Sequence, residues 1–195
     1  MGKKRWDYEL PELALLQKEL KRERYRRRFR RLLRSTVNAL IVVAAIAALI
    51  ATLVLPVLQI AGTSMEPSLK DGDIVLLVKT DNLETGDLCA FYYSNKILIK
   101  RIIGSPSDYL WINPDGTVYL NSEELIEPYV SEKALGECDV EFPYQVPENN
   151  YFMMGDHRET SIDSRSSVIG CIAEDQIIGK ILCKVWPLSE FVWMG

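Results

Sequence analysis

The sequence contains a single histidine, His157, and no Cys-x-x-Cys pair. Both absences argue against familiar chemistries, because a zinc centre needs several His, Cys or carboxylate ligands and a thioredoxin-like site needs paired cysteines. We therefore expect no metal and no cofactor. The four cysteines are Cys89, Cys138, Cys171 and Cys183, which allow three full pairings as disulfides. Free thiols are favoured, because Cys89, Cys171 and Cys183 lie in apolar runs where cysteine behaves as a small hydrophobe.

Charged residues are also absent from one long stretch of the sequence. No charged residue lies between Arg34 and Glu66. Within it, residues 35–60 read "STVNALIVVAAIAALIATLVLPVLQI", which is long enough to cross a bilayer as a helix. The stretch is too long, and its basic lead too extended, for a cleaved secretory signal. We predict a transmembrane helix over 35–60, ending near Pro56.

The charges that are present divide unevenly. Residues 1–34 hold 13 Lys/Arg and 5 Asp/Glu, a net of +8, which leaves −12 for the remainder of a chain whose net charge is −4. Because basic flanks stay in the cytoplasm, we predict a single-pass protein of the cell membrane with residues 61–195 outside. The basic segment, with its helical spacing, is expected to contact lipid headgroups rather than nucleic acid.

No convincing helical pattern follows residue 60. The outer part instead reads as short runs rich in Ile, Val, Leu and Tyr, separated by turn signals, as in "DIVLLVK", "LCAFYY" and "KILIKRIIG". "DYLWIN" and "TVYLN" flank "PDG", which predicts a hairpin. We predict an all-β domain over 61–195, with a coil-rich insertion at about 105–150.

Three clusters carry candidate chemistry: "SMEPSL" at 64–69, "KRIIGSPSD" at 100–108 and "GDHRETSIDSR" at 155–165. His157 lies in an ordinary polar loop, so a hydrogen-bonded role is favoured over membership of a catalytic triad. The other base for a serine is a lysine that is desolvated enough to be neutral. Strand alternation places Lys100 on one face with Leu98 and Ile102, an apolar setting that lowers a lysine pKa.

Together, the ordered clusters downstream of one span resemble the bacterial type I signal peptidases, in the form found in Gram-positive bacteria. "SMEPSL" is similar to the family's Ser-Met-x-Pro-Thr-Leu box, with Ser68 in place of Thr. "GDIVLL" and "KRIIG" are similar to the boxes that follow, and "GDHRETSIDSR" to Gly-Asp-Asn-Arg-x-x-Ser-x-Asp-Ser-Arg. The resemblance extends over about residues 36 to 190.

The resemblance implies catalytic roles for particular positions. Ser64 would be the nucleophile, Lys100 its general base, and Ser161 the group that orients the lysine. The Ser64 backbone N–H would line the oxyanion hole. Gly62 stands where some relatives carry a serine hydroxyl that completes the hole, and Gly155 would permit close backbone approach.

It also implies roles around that centre. Asp163 and Arg165 would be structural partners, and Met65, Leu69 and Ile99 would line shallow pockets for small residues before the scissile bond. The implied fold is a mainly antiparallel β-domain behind one N-terminal transmembrane helix. The implied activity is cleavage of signal peptides from exported preproteins, at the bilayer and beside the secretion translocon.

Two departures and two alternatives accompany this interpretation. His157 replaces the usual Asn, and "GSPSD" replaces a glycine-richer stretch, so loop geometry or pH response could differ. Self-cleaving repressor-type proteins also use serine and lysine, but they lack a membrane span. The other alternative is a membrane-anchored β-domain that binds peptides or assembles surface structures without catalysis. The sequence leaves open whether the substrates are general or a few exports such as pilins.

Overall fold

The computed structural model describes residues 13–54 and 56–194 of the chain. It divides into two units, with the boundary between Ala51 and Thr52. Helix α1 spans Leu13–Val54, so the basic segment is helical from residue 13 onwards, as predicted. Within the described residues, one helix is long and apolar enough to cross a membrane, over Leu16–Leu49.

The predicted span is too long at its C-terminal end. Helix α1 ends at Val54, and Val57–Gln59 forms a strand that pairs with residues 74–76. Pro56 explains the break, because proline has no N–H to donate and its ring disfavours helical geometry in the residue before it. The prediction of helix up to residue 60 is therefore wrong for the strand residues.

Twelve strands lie within residues 56–194. Each is short, as the alternating runs of the sequence predict. In chain order they are β1 Val57–Gln59, β2 Ile74–Val78, β3 Leu88–Tyr93, β4 Lys96–Gly104, β5 Tyr109–Ile112, β6 Val118–Leu120, β7 Glu123–Glu124, β8 Tyr144–Gln145, β9 Asn150–Met154, β10 Ile172–Ala173, β11 Ile177–Trp186 and β12 Val192–Trp193.

The strands form two antiparallel sheets. The larger has the order β1-β2-β11-β3-β4-β9-β10, with β12 added alongside β11. The smaller has the order β7-β6-β5-β8. Past residue 60, the described chain contains only two 3-10 turns as helical structure, Glu174–Gln176 and Leu188–Glu190. The mainly β, antiparallel fold that the sequence predicts is confirmed.

The smaller sheet lies inside the predicted insertion. Strands β5 and β6 form the hairpin that "PDG" predicts, with Leu110 opposite Leu120. A hydrophobic cluster joins this hairpin to the larger sheet, since Leu110 and Val118 pack with Ile103 of β4 and Phe152 of β9. The insertion is therefore an integral layer of the domain rather than loose coil.

The register of the larger sheet fixes the surroundings of β4. Lys100 lies opposite Cys89 of β3, and Arg101 lies opposite Met154 of β9. From Lys100 to the end of the strand every residue is buried, so both faces of β4 are covered there. All four cysteines are free thiols.

Candidate active site

Ser64 lies in a turn between β1 and β2. Backbone hydrogen bonds close the turn, from Glu66 N to Thr63 O at 3.0 Å and from Leu69 N to Met65 O at 2.9 Å. Met65 and Leu69 anchor it in the core, while Ser64 itself is half-buried. No acceptor for the Ser64 N–H occurs in the described part of the chain. That donor is free to bind an incoming oxygen.

The Lys100 side chain extends from β4 to the 155–165 loop. Its Nζ donates a hydrogen bond to Ser161 Oγ at 2.8 Å. The residue is only 4% exposed, and this burial lowers the pKa of Lys100 to about 8, against the smaller raising effect of Asp163. A lysine with that pKa is partly neutral near physiological pH and can accept a proton.

The 155–165 loop is fastened to the Ser64 turn through its backbone. His157 N donates to the Ser64 carbonyl at 3.1 Å, and Ser161 N donates to the His157 carbonyl at 3.1 Å. A Cβ added at Gly155 would lie 2.6 Å from both the Ser64 carbonyl oxygen and Ser161 Cβ. Only glycine fits between the two serines, which gives a physical reason for the close approach expected there.

Asp163 and Arg165 form a fully buried ion pair within the 155–165 loop. Asp163 also accepts a hydrogen bond from Gly155 N at 2.9 Å. Burial alone raises the pKa of Asp163, but the hydrogen bonds and charge of Arg165 hold it below its ordinary value. Arg165 in turn donates to the carbonyls of Leu135 at 2.6 Å and Arg158 at 2.9 Å. The pair therefore braces the loop, consistent with a structural role.

Ser64 and Lys100 open onto one cavity of about 430 Å³. Met65 and Ile99 line it, as the resemblance implies. Leu69 does not, because its side chain is completely buried in the core beneath the turn. The lining comes from β1 and the chain after it, and from β4 and the turn before it: Leu58, Gln59, Ile60, Ala61, Gly62, Ser64, Met65, Asn95, Ile97, Leu98, Ile99 and Lys100.

Gly62 lines the cavity without offering a side-chain donor. Its φ of +96° lies in the region that favours glycine, and its N–H is held by Asp71 Oδ1 at 2.8 Å. A Cβ there would meet no atom within 4 Å, but the backbone conformation would strain any other residue. Unlike the Gly62 N–H, the Ser64 N–H has no acceptor in the described chain and can donate to a bound oxygen.

The His157 side chain points elsewhere. Its Nδ1 lies 3.1 Å from Thr160 Oγ1, and the ring borders a separate small cavity with Glu66, Pro67 and Lys70. It is not among the residues that line the Ser64 cavity. The His157 side chain is therefore hydrogen-bonded, as the sequence predicted.

Sequence reasoning missed a second group of buried charges beside the site. Arg101 pairs with Asp156 at 2.6 Å, and Arg158 pairs with Glu127, whose side chain is fully buried. The Tyr129 ring lies 3.8 Å from the Arg101 guanidinium carbon. The position of Arg101 directly after Lys100 was the available signal that these charged side chains are buried. It was not used, because charged side chains ordinarily face solvent.

Residues 33–186 match the family model described as signal peptidase, peptidase S26. The chain belongs to this family. The "Signal peptidase IB" of Staphylococcus aureus is 38% identical over 152 residues, which cover 68% of this chain and 78% of that protein. The "Signal peptidase I T" of Bacillus subtilis is 37% identical over 144 residues, or 67% and 74% of the two chains. The resemblance predicted from the sequence motifs is confirmed at the level of the family.

Among solved structures, a signal peptidase I from Enterococcus faecalis aligns with a TM-score of 0.43 at 25% identity, covering 52% of this chain and 98% of that one. The three clusters of the sequence, at 64–69, 100–108 and 155–165, all fall within the residues that match the S26 family model.

Proposed function

We propose that the chain is a membrane-anchored serine endopeptidase that removes N-terminal signal peptides from exported preproteins, with Ser64 as nucleophile and Lys100 as general base. One observation carries the proposal. A buried lysine with a pKa of about 8, bonded to Ser161, opens with Ser64 onto the same cavity. Membership of the signal peptidase family supplies the substrate class.

The steps follow from these groups. Neutral Lys100 takes the proton of Ser64 Oγ as that oxygen attacks the scissile carbonyl, and the Ser64 N–H stabilises the oxyanion. The tetrahedral intermediate collapses to an acyl-enzyme ester while the protonated lysine gives its proton to the departing amine. Lys100 then takes a proton from a water molecule as the water attacks the ester, and returns that proton to Ser64 Oγ as the ester C–O bond breaks and the signal peptide leaves.

The cavity favours an extended peptide with small apolar residues before the cleaved bond. Its walls are apolar side chains such as Leu58, Ile97 and Ile99, and it is shallow enough to leave Ser64 half-exposed. Strand β1, at the edge of the sheet, leads directly into one wall. A substrate strand laid along these segments would gain affinity from main-chain hydrogen bonds and specificity from side-chain size.

The N-terminal helix accounts for anchoring. Its apolar stretch suits a single bilayer span, and the arginine-rich turns before it suit the cytoplasmic face. We infer that residues 56–194 lie outside, beside the translocon that delivers the substrate. Protease added to intact cells should digest this domain and spare the basic lead, whereas protection of the domain would contradict the orientation.

The test of the activity uses the full chain in phospholipid vesicles with a preprotein substrate. Ser64→Ala should lower cleavage by roughly a thousandfold or more, as expected on loss of a serine nucleophile. Ser189→Ala, an exposed serine in the same unit, is the matched control. Mass spectrometry of the product should place the cut after a small residue beyond the signal helix. An acylating inhibitor should label Ser64, and a non-catalytic peptide-binding domain would show neither labelling nor cleavage.

A further inference from the structure

The predicted insertion carries two residues that reach into the catalytic loops. Glu127 accepts hydrogen bonds from both terminal nitrogens of Arg158, one of them at 3.0 Å, and both side chains are fully buried. Tyr129 donates its hydroxyl to Glu127 Oε1 at 3.1 Å, while its ring covers the guanidinium of Arg101. One short segment thus contacts arginines from two different parts of the site.

Those arginines flank the proposed catalytic groups. Arg101 follows Lys100 on β4 and donates to both oxygens of Asp156, at 2.8 and 2.6 Å. Arg158 lies between Gly155 and Ser161 in the other loop. Its Nε donates to the Gly155 carbonyl at 3.1 Å, and its own carbonyl accepts a bond from Arg165 at 2.9 Å.

Gly155 is therefore held from both sides. Its N–H is bound by Asp163, and its carbonyl is bound by Arg158. The space around Gly155 is fully occupied, since an added Cβ would lie 2.6 Å from the Ser64 carbonyl oxygen. A displacement of Gly155 would consequently move Ser64 relative to Ser161, and with Ser161 the hydrogen bond that orients Lys100.

We propose that Glu127 is a positioning residue for the Ser64–Lys100 site, acting through Arg158 on the Gly155 carbonyl. The proposal rests on the proposed function. Arg158 is completely buried, and Glu127 is the carboxylate that pairs with it in the described chain. Without that carboxylate the guanidinium would turn towards another acceptor or towards water, because a buried charge is not left unpaired. The Gly155 carbonyl would then lose its fixed donor.

The alternative is that the Glu127–Arg158 pair only stabilises the fold. The two roles separate in the kinetics, because misplacement of reacting groups by about 1 Å can lower the rate about a hundredfold. The cavity walls stay in place, so a positioning defect lowers kcat with little change in KM. A purely structural defect lowers the folded fraction and leaves kcat per folded molecule unchanged.

The first experiment measures kcat and KM of Glu127→Gln in vesicles, normalised to the folded fraction from circular dichroism. We expect kcat to fall by about tenfold to a hundredfold with KM within about threefold. Glu127→Asp, which keeps the charge, should recover part of the rate. Glu124→Gln is the matched control, because Glu124 is exposed and pairs with Lys133 at the surface. Full kcat in folded Glu127→Gln would overturn the proposal.

A double variant guards against misfolding. Glu127→Leu with Arg158→Met replaces the buried pair by apolar side chains of similar size, a change that proteins often tolerate without loss of stability. The Gly155 carbonyl still lacks its donor, so kcat should stay low even where the thermal midpoint returns to that of the unaltered protein. Recovery of kcat together with the midpoint would contradict positioning. Ser64→Ala in the same assay tests the activity separately: its inactivity leaves the proposed function standing whatever Glu127 does.

Discussion

Two lysines lie buried in different regions of the same sheet, and their surroundings differ. Lys100 on β4 contacts a hydroxyl, Ser161 Oγ, at 2.8 Å. Lys184 on β11 lies between two carboxylates, 3.2 Å from Asp73 and 3.0 Å from Glu190. Burial lowers the pKa of Lys100 to about 8. Burial acts in the same direction on Lys184, but its hydrogen bonds to the carboxylates raise its pKa above the ordinary value. The neighbours, not burial alone, decide which lysine can be neutral.

Lys100 does have carboxylates nearby, and each is already engaged. Asp163 is paired with Arg165, and Asp156 is paired with Arg101. Arg165 lowers the pKa of Lys100 and so opposes the raising effects of Asp163 and Asp156, and desolvation remains the largest effect on Lys100. The buried ion pairs around the site thereby serve its chemistry as well as its shape.

The largest expected effect comes from removing the base. Lys100→Met should reduce cleavage by roughly a thousandfold or more while leaving the fold intact, because methionine suits the apolar pocket. Lys100→Arg should be equally inactive, since a guanidinium stays protonated. Lys96→Met, an exposed lysine on the same strand, is the control. A folded Lys100→Met protein that cleaves a preprotein at near-normal rate would contradict the serine-lysine mechanism.

The pH dependence follows from the lowered pKa of Lys100. The active form is neutral, so kcat/KM should rise with pH through about 8 and fall about tenfold per pH unit well below that value. At pH 8 roughly half of the lysine is neutral, compared with about 0.3% for a lysine of ordinary pKa. A profile that stays flat from pH 6 to 9 would assign proton transfer to another group.

Ser161→Asp would give Lys100 the kind of partner that Lys184 has. A carboxylate beside Nζ stabilises the charged lysine and raises its pKa, so the rising limb of kcat/KM should move to higher pH. Cleavage at pH 8 should fall about tenfold or more and recover in part at alkaline pH. Ser161→Ala is the comparison, because it removes the orienting hydroxyl without adding charge. An unshifted limb in folded Ser161→Asp would argue against this account of the Lys100 pKa.

The sequence predicted the strands whose patterns are local. The β4 run "KILIKRIIG" and the "PDG" hairpin contain enough β-branched and turn residues to be predicted as a strand and a hairpin. The two-residue strands β7 and β8 carry no period at all, so the insertion resembled coil. The end of the span was misplaced because residues 57–59 continue the uncharged run, which suits a strand as well as a helix, and Pro56 was the signal that the helix ends.

The residues of the site that belong to sequence motifs could be predicted. The contacts that depend on the tertiary structure could not. The clusters pointed to Ser64, Lys100 and Ser161, and the fold brings them to one place. The direction of Leu69 depends on the turn that carries it, which sequence order does not specify. Glu127 lies 31 residues from Arg158, and nothing in the local sequence "EPYVSEK" indicates that its side chain is buried.

Lys184→Met gives the smallest expected effect on activity. It leaves Asp73, which is buried, with the Lys70 N–H as its remaining partner at 2.9 Å. The free energy of unfolding should therefore fall by about 3 kcal/mol, with kcat/KM of the folded protein within about threefold of the unaltered chain.

The stability conferred by Lys184 is fully present below the ordinary lysine pKa of 10.5 and is lost as pH rises through its raised value. Lys100 behaves oppositely: its lowered pKa makes the unaltered protein lose stability, relative to Lys100→Met, as pH falls from 10.5 to about 8. Urea unfolding of both variants at pH 7 and pH 10 checks this difference. The destabilisation by Lys184→Met should stay constant over that range, whereas the stability of the unaltered protein relative to Lys100→Met should rise. The same pH trend in both would mean that the two environments are not distinct.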